Sequence, residues 1–168
     1  MKKAFIFDFD DTLATTEARI IVRRDNSGKG GVILEKISPA AYNTYELPPK
    51  HFFDFSEFRL DKFILNANPT KLMDLAEQVH SEGHPVYILT ARNNVVCSAI
   101  AAYLARFNIV AKAIHAVGSG SDVNIAEEKR KVLETLIQVF DCVYFYDDCL
   151  ENCEAASSIS SSVKVFLV

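Results

Sequence analysis

Seven side chains in this sequence have types and spacing suited to chemistry on a charged oxygen centre. Asp8, Asp10 and Asp11 fall within four positions, at the end of the apolar run Ala4-Phe5-Ile6-Phe7 and just before Thr12. A second acidic pair, Asp147-Asp148, ends another apolar run. Carboxylates are normally kept off such runs, because desolvating an unpaired charge is costly. If Asp8, Asp10, Asp147 and Asp148 converge, each pair at about 4 Å costs roughly 4 kcal/mol at an effective dielectric near 20. One lysine cannot offset several such pairs, whereas a divalent cation can. A site built only from oxygen ligands favours Mg²⁺ over zinc or copper. Carboxylates beside Mg²⁺, a lysine and a hydroxyl donor suit phosphoryl transfer, in which charge spreads over the phosphoryl oxygens. The hydroxyl is Thr90, at the end of Pro85-Val86-Tyr87-Ile88-Leu89, and the lysine is Lys129.

The elements that must position these groups can be read from periodicity. Ala4 to Asp8 reads as a first strand. Asn68-Pro69 reads as the start of a helix that Gly83 stops, with Leu72, Leu75, Ala76 and Val79 on one face. A buried strand to Thr90 follows, then a helix from about Asn94 to Phe107 and a strand from Val110 to Val117. Asn124 with Glu127 forms a capping box for a helix reaching about Val139. Cys142 to Tyr146 is the next strand, a short helix starts at Leu150, and Val163 to Leu167 is the last strand.

Strands alternating with helices predict an α/β fold: a parallel sheet with right-handed crossovers and helices on both faces. Such a sheet delivers every strand's last residue to one edge, where ligands bind. Asp8, Thr90 and Asp147 are therefore predicted to meet. Lys129 joins them by helical geometry. At 100° per residue it falls amid Ile125, Val132, Leu133, Leu136 and Phe140, while Lys131 points to solvent. A lysine there runs its stem over the core and carries its ammonium to the site. Lys112 is the second choice.

Between about residues 14 and 67 the alternating pattern lapses. Ile20-Ile21-Val22 and Val32-Ile33-Leu34 flank the turn-rich Asn26 to Gly31 and predict a β-hairpin inserted after the first strand. Gly28-Lys29 lacks the glycine spacing and following hydroxyl of a phosphate loop. Ser38-Pro39 starts a short helix through Tyr45. Phe52, Phe53, Phe55, Phe58 and Phe63 are expected to pack the insertion onto the body; the alternative is a substrate entrance.

The chain's 168 residues suit one domain carrying that small cap, and its net charge of −4 gives no global pull toward nucleic acid or anionic membranes. No apolar run approaches the roughly 18 residues of a membrane helix. Asp8 interrupts the N-terminal apolar segment too early for a signal peptide, which leads to a cytoplasmic expectation with no membrane contact and no obligate protein partner. Cys149 and Cys153 could form half a zinc site, but Cys97 and Cys142 supply no second pair, and all four are expected to be reduced thiols.

Taken together, these residues resemble a known family. Asp8-Phe9-Asp10-Asp11-Thr12 is similar to the DxDxT motif of the haloacid dehalogenase (HAD) superfamily of phosphatases. Thr90 resembles its second motif, Lys129 its lysine, and Asp147-Asp148 its acidic fourth motif, in the family's order across essentially the whole chain. The resemblance implies a three-layer Rossmann-like fold and a Mg²⁺-dependent phosphatase acting on a phosphate monoester. Asp8 would be the nucleophile and Asp10 the acid and base. Mg²⁺ would be held by Asp8, the Asp10 carbonyl, Asp147 and Asp148. Thr90 and Lys129 would hold the phosphoryl oxygens, with Arg92 a further substrate contact beside Ala91, and Thr12 would close the turn. Asp11 departs from the glycine common there.

Two other classes remain open. A phospho-accepting signalling receiver also has an acidic pocket, threonine and lysine, but its lysine comes late, whereas here an acidic pair follows Lys129. A non-catalytic binding protein on the same scaffold is the other. The substrate is a phosphorylated small molecule or a nucleic-acid end. Thr90-Ala91-Arg92 is similar to polynucleotide 3′-phosphatases, and Arg19, Arg23, Arg24, Lys29 and Lys36 give the insertion a slight basic excess over Glu17, Asp25 and Glu35.

Overall fold

The computed structural model describes residues 1–25, 30–42, 44–119 and 123–168. The turn expected from Asn26 and the loop expected at Gly120-Ser121 fall on residues outside these.

In chain order the elements are β1 (Lys3–Phe7), β2 (Ala14–Thr15), β3 (Ile20–Arg24), β4 (Val32–Ile37), α1 (Pro39–Tyr42), β5 (His51–Asp54), α2 (Asp61–Leu65), β6 (Asn68–Pro69) and α3 (Leu72–Ser81). They continue with β7 (Val86–Thr90), α4 (Cys97–Ala105), β8 (Ala113–Ala116), α5 (Ile125–Leu136), β9 (Cys142–Asp147), α6 (Leu150–Ser157) and β10 (Val163–Leu167). Short 3₁₀ turns span Ser56–Arg59 and Asn94–Val96.

The central sheet has the order β10-β9-β1-β7-β8 and is parallel throughout. Alternation along β1 divides its side chains between two layers, because successive strand residues face opposite sides. Phe5 and Phe7 pack with Met73, Val79, Ile100 and Leu104 of α3 and α4. Ala4 and Ile6 pack with Leu133, Leu136 and Ala156 of α5 and α6. Helices on both faces complete the three-layer α/β architecture read from the sequence. No described helix is long and apolar enough to cross a membrane.

Several boundaries differ from the sequence reading. Asn68-Pro69 does not open a helix. It pairs antiparallel with Ala14-Thr15, and α3 begins after Thr70, whose hydroxyl accepts from the Leu72 N–H at 3.2 Å. Tertiary pairing there overrides a good local cap. The strand expected over Val110 to Val117 shrinks to four residues at the sheet's edge. The capping box at α5 is half formed: the Asn124 side chain accepts from the Glu127 N–H at 3.0 Å, while the Glu127 carboxylate pairs with Arg130.

The insertion is larger than a hairpin. Strand β5 adds to β3, giving a three-stranded antiparallel flap of order β4-β3-β5. Its own apolar cluster joins Ile20, Val22 and Ile37 with Tyr45, Phe53 and Phe58. Arg23–Asp54 (2.6 Å) ties β3 to β5, Lys36–Glu57 (2.6 Å) ties β4 to the 3₁₀ turn after β5, and Glu57 also accepts from the Arg19 N–H. Phe52, Phe53, Phe55 and Phe58 therefore belong largely to the flap itself, and strand β5 was missed because a phenylalanine-rich run carries no clean period of two.

Candidate active site

Asp8, one residue beyond β1, continues the sheet by donating its N–H to the Tyr146 carbonyl at 2.9 Å. Register places Phe7 opposite both Ile88 and Tyr146, so Asp8, Thr90 and Asp147 reach one edge. Each is buried, Thr90 and Asp147 completely. Oxygens of Asp8, Asp147 and Asp148 lie within 4.8 Å of one another, forming the one acidic or thiol cluster of this kind among the described residues. Neither Cys149 nor Cys153 joins it. Cys153 packs its thiol on the Asp147 carbonyl, and burial, with repulsion from Asp147, pushes that thiol up to about 12.

Lys129 lies where helical geometry placed it. Only 1% exposed, it donates to Asp8 Oδ1 at 2.6 Å and to Asp147 Oδ2 at 2.7 Å. Burial alone would depress its pKa, but attraction to Asp8 and Asp147 overrides that and holds the ammonium above the ordinary lysine range. Burial also lifts the Asp8 carboxyl well above its ordinary value. Lys129 opposes the rise, while Asp147 and Asp10 add to it. Asp148 is open to solvent as a residue, yet partial desolvation of its carboxyl and repulsion from Asp147 and Asp11 raise it to about 6. The cluster carries more negative charge than one ammonium balances.

Asp10 has a different partner. Arg92 grips its carboxylate with two parallel bonds, Nε to Oδ2 and Nη2 to Oδ1, both 2.7 Å, and Thr16 donates to Oδ1 at 3.3 Å. The Arg92 side chain is almost wholly buried. Its remaining contacts are the Phe58 carbonyl (2.8 Å), the Thr16 hydroxyl (3.2 Å) and the Phe58 ring, 5.1 Å from its centroid. Arg92, expected from the sequence as a substrate contact, is engaged internally on Asp10, Thr16 and the Phe58 carbonyl. A bidentate guanidinium binds a carboxylate more strongly than it would serve as a loose surface contact.

The turn after Asp8 is closed by backbone and not by Thr12. Leu13 and Ala14 donate to the Phe9 carbonyl, and Asp11 donates to the Ala14 carbonyl. The Thr12 hydroxyl is buried without a hydrogen-bond partner, while its carbonyl accepts from the Thr70 hydroxyl. Asp11 has φ of 57°, the left-handed conformation that favours glycine and that aspartate tolerates at modest cost. That accounts for the departure seen in the motif.

Two supporting residues were not foreseen. Asn152, on the first turns of α6, donates to both Asp147 oxygens at 3.0 and 3.2 Å, and the Cys149 N–H donates to Oδ1 at 2.9 Å. Its signal was its place five residues after Asp147, on the helix that follows the acidic strand end. Gly118 donates its N–H to the Arg92 carbonyl at 3.1 Å, and a Cβ added there would sit 1.8 Å from the Ala91 carbonyl oxygen. Gly118→Ala is therefore expected to force the Thr90–Arg92 segment to move, costing about 1–3 kcal/mol of stability. A melting temperature equal to that of the parent protein would contradict this.

The fold has solved counterparts. A chain of the Pnkp1/Rnl/Hen1 RNA repair complex superposes over 100% of this chain with a TM-score of 0.62 at 16% identity. A HAD family enzyme from Bacteroides thetaiotaomicron matches over 99% of this chain and 93% of its own, with a TM-score of 0.55 at 13% identity. This chain carries the HAD-like fold. The same Bacteroides enzyme, solved with magnesium and inorganic phosphate, matches with a TM-score of 0.51 at 12% identity, over 99% of this chain and 94% of its own. The chain spans 45% of the RNA repair chain's length. No family model and no curated protein matches the sequence. In this chain the adjacent strands β9, β1 and β7 end at Asp147, next to Asp8 and at Thr90.

Proposed function

We propose that this protein is a Mg²⁺-dependent phosphatase that hydrolyses a phosphate monoester through an aspartyl-phosphate on Asp8. The observation that carries this reading is the buried Asp8–Lys129–Asp147 constellation, with Asp10 held beside it by Arg92. The residues fit a magnesium ion: three carboxylates with only oxygen donors, mutually within 4.8 Å, and an excess of negative charge. Asp8, Asp147 and Asp148 would hold it with the Asp10 carbonyl, and Asn152 would keep Asp147 in place. When bound, the ion supplies charge neutralisation at the phosphoryl oxygens and aligns Asp8 with phosphorus.

An Asp8 oxygen attacks phosphorus, and the bond to the leaving oxygen breaks as Asp10 gives that oxygen its proton. Water then attacks the phosphorus of the aspartyl-phosphate and loses a proton to Asp10. The bond to Asp8 breaks and inorganic phosphate leaves. Arg92 fixes the plane of the Asp10 carboxylate; Oδ1 accepts from both Arg92 and Thr16, and Oδ2, with one donor, keeps a lone pair for the transferred proton. Two of the three Lys129 donors are used by Asp8 and Asp147, leaving the third for a phosphoryl oxygen. The Thr90 hydroxyl accepts from the Arg92 N–H at 3.2 Å and keeps its own proton to donate.

Likeness to a chain of an RNA repair complex supports a nucleotide or nucleic-acid end as the substrate. A phosphate-release screen with and without Mg²⁺ tests the proposal. It should compare 3′- and 5′-phosphorylated oligonucleotides, nucleotides, sugar phosphates and phosphopeptides. Release that does not depend on Mg²⁺, or release from none of them, would reject it.

Metal binding should also depend on pH. The Asp148 carboxyl is raised to about 6 from an ordinary 3.8, so between those values the folded chain keeps a proton that the unfolded chain releases. Stability without metal therefore falls as pH rises through that window. Magnesium needs the deprotonated ligand, so its stabilisation grows over the same range. Millimolar Mg²⁺ is expected to raise the melting temperature by several degrees at pH 7.5 and hardly at all at pH 5. Equal shifts at both would contradict the assignment of Asp148.

A further inference from the structure

The flap leaves two aromatic side chains in solvent beside the site. Tyr42 and Phe55 are 38% and 41% exposed and meet edge to face with centroids 5.5 Å apart. Phe55 lies 6.4 Å from Phe58, whose ring lies 5.1 Å from the Arg92 guanidinium. Arg92 grips Asp10. Edge-to-face and tilted aromatic contacts therefore lead from open solvent, through Phe58 and Arg92, to the group assigned as acid and base. The inner ring already carries the Arg92 guanidinium, while Tyr42 and Phe55, both also packed on Phe53, stay partly exposed. Arg59 follows Phe58, and both it and Lys62 are exposed, with no carboxylate partner among the described ion pairs.

We propose that Phe55 and Tyr42 form a stacking subsite for the base of a nucleotide whose phosphate is bound at Asp8, with Arg59 and Lys62 serving the adjoining backbone phosphate. This rests on the phosphatase reading and specifies its substrate class. A nucleobase is planar, presents a π face and hangs one sugar away from its phosphate, and stacking on an aromatic ring accepts any base. Sugar phosphates offer no planar face. A phosphotyrosine carries its ring directly on the phosphate, without the sugar that sets a base apart from it.

The test uses the whole chain and oligonucleotides ending in 2-aminopurine nucleotide, one series 3′-phosphorylated and one 5′-phosphorylated. Titration with protein should quench the fluorescence of one series. Phe55→Ala should weaken the apparent affinity on the order of tenfold, and Phe55→Tyr should restore it. In turnover, Phe55→Ala should lower the ratio of kcat/KM on base-bearing ends to that on abasic ends by a similar factor. No quenching in either series, an unchanged ratio, or an effect confined to phosphotyrosine peptides would overturn the proposal. Quenching without phosphate release would uphold the subsite and reject the phosphatase reading, and release without quenching would do the reverse.

Discussion

Asp8→Asn is expected to abolish phosphate release, by at least about 1,000-fold, while leaving the fold intact. The amide keeps the shape of the carboxyl and can still accept from Lys129, but it cannot form the aspartyl-phosphate. The site is over-supplied with negative charge, and the Asp8 carboxyl is already lifted by its burial. Removing that one charge should therefore leave the metal-free protein at least as stable as before. The decisive pair of measurements is the initial rate of phosphate release with Mg²⁺ and the thermal melt without it. Trapping of a phosphorylated chain by acid quench should succeed in the parent protein and fail in the variant. Release at parental rates from Asp8→Asn would end the mechanism.

Lys129→Met should be the most damaging single change to stability. It leaves Asp8 and Asp147 buried without the ammonium that each touches, at 2.6 and 2.7 Å. Breaking a buried pair in this way costs about 3–5 kcal/mol, a large part of a domain's margin. The sign of the pH response distinguishes this cause from simple loss of packing. Asp8 is raised even with Lys129 present, so without it that carboxyl should take up a proton more readily and the variant should regain stability as pH falls toward 5. Mg²⁺ should also restore part of the loss at pH 7.5, because it supplies the missing positive charge. Urea melts at the two pH values, with and without Mg²⁺, read this directly. A variant equally unstable in all four conditions would show that the stem of Lys129 matters and its charge does not.

Most of the central sheet could be read from local pattern, because buried strands and amphipathic helices carry their periods in short windows. Phe5 and Phe7 against Ala4 and Ile6 already imply two layers. Gly83, with φ of 83°, ends α3 where its lack of a side chain predicts. The position of Lys129 was legible for the same reason, since a charge in the middle of an apolar helix face must have a buried partner, here Asp8 and Asp147. Periodicity failed at Asn68-Pro69, where a two-residue pairing with Ala14-Thr15 outweighed a cap signal, and at β5, whose phenylalanines mask the alternation.

The sequence by itself determined which residues could do chemistry, the strand ends that bring Asp8, Thr90 and Asp147 together, and the need for a counter-charge. Only the tertiary structure decided what Asp10, Arg92, Asn152 and Gly118 touch. Arg92 lies 82 positions from Asp10, and neither its fork on that carboxylate nor its bond to the Phe58 carbonyl has a local pattern. Asn152 matters because α6 starts against β9, and Gly118 because a loop passes within contact of Ala91. Such contacts depend on where separate segments come to rest in space. Local sequence records the periods of helices and strands, but not the distances between loops.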